Sequence, residues 1–164
     1  MSTSTGDVRD YTTYTRFLNS HFEQIPTPEG RVVPGDDDPA RYEYFHVDHL
    51  GNIRAVYYDS LVAIQVGQWT DYDPWGLELS GLSKGANSNR LKYNSKESLA
   101  ELGGGVLDYG ARLYDATIGR WGVVDPLAEV NRRFSPFVYG NNNPVRMIDP
   151  DGRESQKYDR SERE

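Results

Sequence analysis

Apolar and aromatic residues in this chain fall in short alternating runs, and few long apolar periods appear anywhere. That pattern predicts strands of modest length joined by turns. "RYEYFHV" and "IRAVYY" flank "DHLGN" (48–52), where Gly51 supplies the positive φ of a tight hairpin turn. In the first run Tyr42, Tyr44 and His46 share one face, and Glu43, Phe45 and Val47 share the other. Neither face is cleanly polar, which predicts cover on both. "TPEGRVV" predicts a turn and a short strand, and "YTTYTRFL" (11–18) an earlier strand with "HFEQI" as its partner. "LVAIQVGQWTDY" (61–72) is the longest strand candidate and stops at the turn signature "DPWG". "LDYGARLYD" and "GRWGVV" read as a hairpin around "ATIG", and "VRMI" as a last short strand.

Two stretches break the strand pattern. "SKESLAEL" (95–102) predicts a helix of about two turns, with Ser95 as N-cap and Gly103 past its end. "PLAEVNRRF" predicts a second short helix with Pro126 at its first position. "PGDDDPA" and "GLSKGANSN" are loops, because two prolines and a run of like charges, or glycines among small polar residues, cannot hold a ladder. From Arg153 the tail "RESQKYDRSERE" has no apolar face and predicts disorder. "YFHVDHLGNIRAVYYD" and "LDYGARLYDATIGRW" form a loose internal repeat, each with Tyr, Asp, Gly and Arg around a turn. A single hairpin cannot bury both its faces, so such units must stack on neighbours.

Composition narrows the function classes. The 164 residues suffice for one ordinary domain, and 12 Tyr, 5 Phe and 3 Trp supply an unusually aromatic core. Twenty-five acidic residues against 18 Lys and Arg give a net charge of −7, so there is no basic footprint for nucleic acid and no polybasic membrane patch. No apolar run approaches the roughly 18 residues of a membrane span. The N-terminus has no apolar segment of the secretory kind. With no cysteine, disulfide and thiolate chemistry are excluded.

The candidate chemistry is carboxylate chemistry. Four Asp-Pro pairs occur, at Asp38, Asp73, Asp125 and Asp149. Asp-Pro is good turn chemistry, and D-P-x-G recurs at Asp73 and Asp149, so by itself it denotes a turn. Asp125 and Asp149 nevertheless lie in one short region, where a turn-rich return can bring them together. Two adjacent carboxyls share a proton, one acting as base and the other as acid. Asp151 is a spare carboxylate suited to capping the turn. "HVDH" (His46, Asp48, His49) invites a metal reading, but strand alternation sends His49 to the opposite face, and a turn with solvated polar groups accounts for it. No G-x-S-x-G elbow and no phosphate loop is present. Tyr and Trp could stack on sugars, although in a hairpin stack aromatics more often fill the core.

"YEYFHVDHLGNIR", "DYDPWGLEL", "LKYNSKE", "LDYGARLYDATIGRWGVVDPLAE" and "SPFVYGNNNPVRMIDPDG" resemble, in order, successive segments of the RHS repeat-associated core domain. That domain closes the tyrosine–aspartate (YD) repeat region of Rhs proteins and related toxin-complex components; the present motifs resemble versions found in Bacteroidetes. "TPEGRVV" resembles the YD hairpin before it. The resemblance runs from about Thr27 to Gly152 and implies three parts: a partial YD-repeat-like hairpin over 1–26, the core domain over 27–152, and a polar tail over 153–164.

The resemblance implies a mainly β fold, an antiparallel β-hairpin spiral ending in a compact core with one or two short helices. In the family, YD repeats wind into a hollow shell around a C-terminal toxin, and the core curls in to plug one end. The core is also similar to an intramolecular aspartyl protease that cuts after a "DPxGL" sequence. Asp125 matches its first aspartate and Asp149 its second. Two departures stand out: Arg153 occupies the Leu position, and the 12 residues of 153–164 are too short for a folded toxin.

The expected role is a structural module that ends and seals a toxin-enclosing shell, here as a C-terminal remnant of a larger Rhs-type chain. An aspartyl autoprotease using Asp125 and Asp149, idle in this chain because of Arg153, is the alternative. A protein- or carbohydrate-binding module is the third reading. The expected partner is the upstream YD-repeat shell, or a second copy through open strand edges. No metal or cofactor is implied. The parent family is secreted or associated with the cell surface.

Overall fold

The computed structural model describes residues 25–34, 40–60, 62–85, 89–130 and 132–158. Strands dominate, as the alternation predicts, and all pair antiparallel in the registers observed. One sheet has the order β1-β2-β3-β4-β5-β6: Ile25–Thr27, Gly30–Val33, Arg41–Val47, Ile53–Asp59, Ile64–Trp69 and Lys84–Gly85. A second has the order β10-β9-β8-β7, from Arg120–Trp121, Leu113–Asp115, Val106–Asp108 and Glu97–Ser98. β11 (Met147–Ile148) pairs with β12 (Gln156–Lys157). The predicted strand at 11–18, its partner as far as Gln24, and most of the "PGDDDPA" loop lie outside the described residues.

The chain divides into two compact units, one of residues 1–44 and 57–65, the other of 45–56 and 66–164. In the first, β1 and β2 form a hairpin across Pro28-Glu29, with Ile25 opposite Val32. Arg31 lies directly opposite Glu43 in the β2–β3 register. The pair is buried, at 3% and 5% exposure, and joined at 2.6 Å, with Arg41 bonding the second carboxylate oxygen at 2.6 Å. This overturns the expectation that both faces of β3 are covered: Tyr42 and Tyr44 are about two-fifths exposed, and His46 on the same face is exposed too. The polar residue goes inside because two guanidiniums neutralise it. Tyr44 stacks on Tyr57 instead, at 5.7 Å between ring centres.

The second unit holds an aromatic core. Tyr93, Tyr109, Tyr114, Trp121 and Tyr139 are each 2% exposed or less and pack with Leu107 and Ala116. Tyr109 meets Trp121 edge to face at 5.1 Å, and Tyr114 lies 4.3 Å from Tyr139; such ring pairs add about 0.5–1.5 kcal/mol each beyond area burial. Every buried hydroxyl in this cluster finds an acceptor. Tyr93 donates to the Pro74 carbonyl at 3.0 Å and Tyr114 to that of Trp75 at 2.7 Å. Tyr109 and Tyr139 both donate to Asn94 Oδ1, at 2.7 and 2.5 Å. Asn94 holds a left-handed backbone (φ 49) and is anchored by Asn52, whose side chain donates to Asp48. Gly76 (φ +90) passes so close to Tyr93 that a Cβ would stand 2.5 Å from its ring.

Neither predicted helix forms; the described residues contain only three 3₁₀ turns, at Tyr93–Ser95, Ala100–Leu102 and Gly140–Asn142. In "SKESLAEL" the backbone is drawn into pairing: Ser98 N–H donates to the Arg90 carbonyl and Leu99 N–H to that of Val106. Two turns of helix have no stability of their own against such ladder bonds. After Pro126 the chain makes successive turns, closed by Ala128 to Asp125 and Val130 to Leu127. The polar stretch after Gly152 is ordered through Tyr158, since β12 completes a ladder with β11.

Candidate functional site

Most aspartates of the motifs are turn residues. Asp73 Oδ1 accepts the N–H groups of Trp75 and Leu77, Asp108 that of Gly110, and Asp115 that of Thr117. Asp48 Oδ1 accepts from Leu50 and Asn52, which engages the central residue of "HVDH" in its own turn. His49 Nε2 lies 3.2 Å from the Val145 carbonyl, and its ring meets Tyr158 edge-on. The aromatics weighed for sugar stacking include Trp121 and the core tyrosines, which are enclosed.

Asp125 and Asp149 do two things each. Asp125 Oδ1 accepts the Leu127 N–H at 2.7 Å, a turn bond like the others. Asp149 Oδ1 accepts from Gly152 at 2.8 Å and from Arg153 at 3.0 Å. The Gly152 position requires φ +75, and a Cβ there would press on the Arg112 amide and the Tyr109 side chain at 3.1 Å. Asp151 also accepts from Arg153 N–H, the capping role expected of it. The second oxygen of each of the two aspartates points elsewhere, and both find the same partner.

That partner is Arg112, which sequence reasoning missed. Its guanidinium is enclosed, at 1% exposure. Nη1 stands 2.9 Å from Asp125 Oδ2 as an ion pair without an aligned hydrogen bond, and Nη2 stands 3.2 Å from Asp149 Oδ2. Its Nε donates to the Gly152 carbonyl at 2.5 Å, and Nη2 also reaches the Arg153 carbonyl at 3.4 Å. One face lies 4.1 Å from the centre of the Trp121 ring. A signal for it was present. Arg112, Tyr114 and Ala116 alternate as buried positions while Leu113 between them is exposed. Tyr114 facing the core therefore carries Arg112 inward with it.

The two carboxyls differ in surroundings. The Asp149 side chain has no exposed area, and burial raises its pKa above the ordinary 3.8, outweighing the Arg153 amide and the Arg112 charge, which pull it down. Asp125 is 19% exposed and lines a cavity of about 260 Å³. Leu127, Val130, Val138 and Asn141 line it too, and residues 153–155 pass along it. The sequence-predicted pair is thus gathered around one guanidinium, beside a cavity crossed by the backbone that follows Asp149.

No family model matches the chain. Over 113 residues it is 34% identical to salivary gland surface protein 1 of Aedes aegypti, covering 67% of this chain and 3% of that protein. It superposes on the crystal structure of TcdB2-TccC3 without its hypervariable C-terminal region, with 25% identity and a TM-score of 0.62. That match covers 79% of this chain and 6% of the other. The Photorhabdus luminescens Tc holotoxin pore with a TccC3 mutation is similar at 24% identity and a TM-score of 0.63. The chain therefore has an Rhs-related, mainly β fold. It spans only a few per cent of these relatives.

Proposed function

We propose that residues 27–152 are an RHS repeat-associated core module which, within a longer Rhs-type chain, ends and seals a YD-repeat shell around a C-terminal segment. The likeness to TcdB2-TccC3 over 79% of the chain supports the structural part of this reading. The Arg112 group is the machinery for one intramolecular cut after Arg153. A single observation carries that part: Asp125, Asp149 and the Arg153 carbonyl all converge on one buried guanidinium.

The step consumes one water. Asp125, which faces the cavity, takes a proton from the water as its oxygen bonds to the Arg153 carbonyl carbon. Arg112 Nη2 stabilises the charge growing on the carbonyl oxygen. Asp149, which burial inclines to hold its proton, protonates the Glu154 nitrogen as the C–N bond breaks. The products are a carboxylic acid at Arg153 and an amine at Glu154, which pass on to carboxylate and ammonium by one proton transfer, while Asp125 ends protonated and Asp149 ionised.

Arg153 keeps the wild-type chain intact on this reading. Intact-mass spectrometry tests it with Arg153→Leu, alone and combined with Asp125→Asn or Asp149→Asn. The expected result is loss of residues 154–164 in the single variant and no loss in either combination. Asparagine retains the turn-capping oxygen while replacing the charged one. An uncut Arg153→Leu chain, or cutting that persists in both Asn combinations, overturns the mechanism.

A further inference from the structure

The segment after Arg153 is bound where the sequence predicts disorder. Its residues are polar or charged apart from Tyr158, the one aromatic between 153 and 164. Yet Gln156 and Lys157 lie opposite Ile148 and Met147 in an antiparallel register, and the Tyr158 N–H donates to the Arg146 carbonyl at 3.0 Å. The Tyr158 ring meets His49 edge-on, 5.9 Å between centres. His49 is itself placed, with Nε2 3.2 Å from the Val145 carbonyl. This gives a role to the last residue of "HVDH", whose Asp48 is engaged in its own turn. A ladder of two residue pairs is marginal alone, so the ring is the anchor that holds it. Only Glu154 and Ser155 separate this strand from Arg153. On the other side of Arg153, the Pro150 and Asp151 carbonyls accept from Lys96 Nζ at 2.5 Å and from the Ala111 N–H at 3.1 Å. The backbone is therefore fixed on both sides of the 153–154 bond.

We propose that β11 and His49 form a strand-addition site for an extended segment bearing an aromatic side chain, occupied in this chain by residues 156–158. Main-chain pairing with Arg146 and β11 supplies the attachment, and the seat beside His49 selects the aromatic ring. Such a site needs no covalent link to its occupant. Its bearing on a cut rests on the reading of the Arg112 group given above: by holding the leaving side, Tyr158 is a positioning residue for the 153–154 bond.

Two readouts separate the site from the chemistry. The first adds the peptide ESQKYDRSERE to the full chain and follows the nuclear magnetic resonance signals of His49, Arg146, Met147 and Ile148. In the wild type the chain's own segment competes at an effective concentration of about 1 mM or more. Tyr158→Ala weakens that occupant, so this variant should bind the peptide several-fold more tightly than the wild type does, with a Kd on the order of 1 mM. Alanine in place of the peptide's tyrosine, or His49→Ala added to the chain, should weaken binding by roughly threefold to tenfold. No shift in Tyr158→Ala at millimolar peptide, or equal binding of the two peptides, overturns the site. The second readout is intact mass over time. Tyr158→Ala added to Arg153→Leu should slow the cut about tenfold, and Tyr158→Phe, which keeps the ring, should restore it; equal cutting by all three removes Tyr158 as a positioning residue. Peptide binding alongside an uncut Arg153→Leu chain leaves the strand-addition site standing and removes the aspartyl reading alone.

Discussion

Replacing Arg112 by methionine removes the charge while keeping much of the side chain's length. What it leaves behind can be counted. Asp149 stays buried with only the Gly152 and Arg153 amides as donors. The Gly152 and Arg153 carbonyls lose a charged donor, and Trp121 loses the cation on its face. Breaking a buried ion pair from one side costs about 3–5 kcal/mol, against a total stability of roughly 5–15 kcal/mol for a domain. With a urea m-value of about 1–3 kcal/mol/M, the midpoint should fall by roughly 1–5 M at pH 7. The loss should also depend on pH. Arg112 lowers the Asp149 pKa, so its removal raises further a value already above 3.8. A folded-state carboxyl pKa above the unfolded one means the native state binds more protons, so stability falls as pH rises through that window. The deficit of Arg112→Met should therefore shrink on acidification, by up to about 1.4 kcal/mol per pH unit. Arg112→Lys should fall between, since ammonium restores the charge without the planar fork. A midpoint change smaller than about 0.3 M, or a deficit unchanged between pH 7 and 5, would refute the claim that this guanidinium neutralises buried carboxylates.

Three further outcomes are expected. In the wild type, the same raised pKa makes stability decline as pH rises above about 4, and Asp149→Asn should flatten that slope in urea titrations; an unchanged slope removes Asp149 as its source. Burial pushes the hydroxyls of Tyr72, Tyr93, Tyr109, Tyr114 and Tyr139 well above 10, so their stabilising protons are lost only in strong alkali; tyrosinate absorbance should rise in two stages, the second coinciding with unfolding by circular dichroism. Finally, β1 and β6 each have one strand partner among the described residues, and unpaired edges recruit other strands; sedimentation velocity should show concentration-dependent association, and a clean monomer at high concentration would argue against it.

The local part of this fold was legible because it is local. Strand alternation and turns in which an aspartate accepts the amides two to four residues on are decided locally, and the hairpins at Asp48, Asp108 and Asp115 follow them. The two short helices failed because pairing competes with them: "SKESLAEL" has fair helical propensity, but the flanking segments at Arg90 and Val106 captured its amides. The burial of Glu43 needed knowledge of the strand opposite, where Arg31 sits. The candidate site was half legible. Asp125 and Asp149 stood out as Asp-Pro pairs, read as turns or as an acid–base pair; one oxygen of each takes a turn bond and the other faces Arg112. Arg112 lay in a motif already singled out, but its partners come 13, 37 and 40 residues later.

Arg112 also has a consequence for where such a fold can operate. It ties the turn after β8 to the chain beyond β11 and closes a loop of about forty residues, the task a disulfide performs in many small secreted domains. This chain has no cysteine. A fastening made of charge and hydrogen bonds is indifferent to glutathione and to oxidants, so it holds equally in a reducing cytosol and in an oxidising exterior. What it answers to is proton concentration: burial favours the proton on Asp149, so the stability held there is present in acid and declines as pH rises. A protein fastened this way can cross between redox compartments without changing its bonds, and responds to pH rather than to redox state.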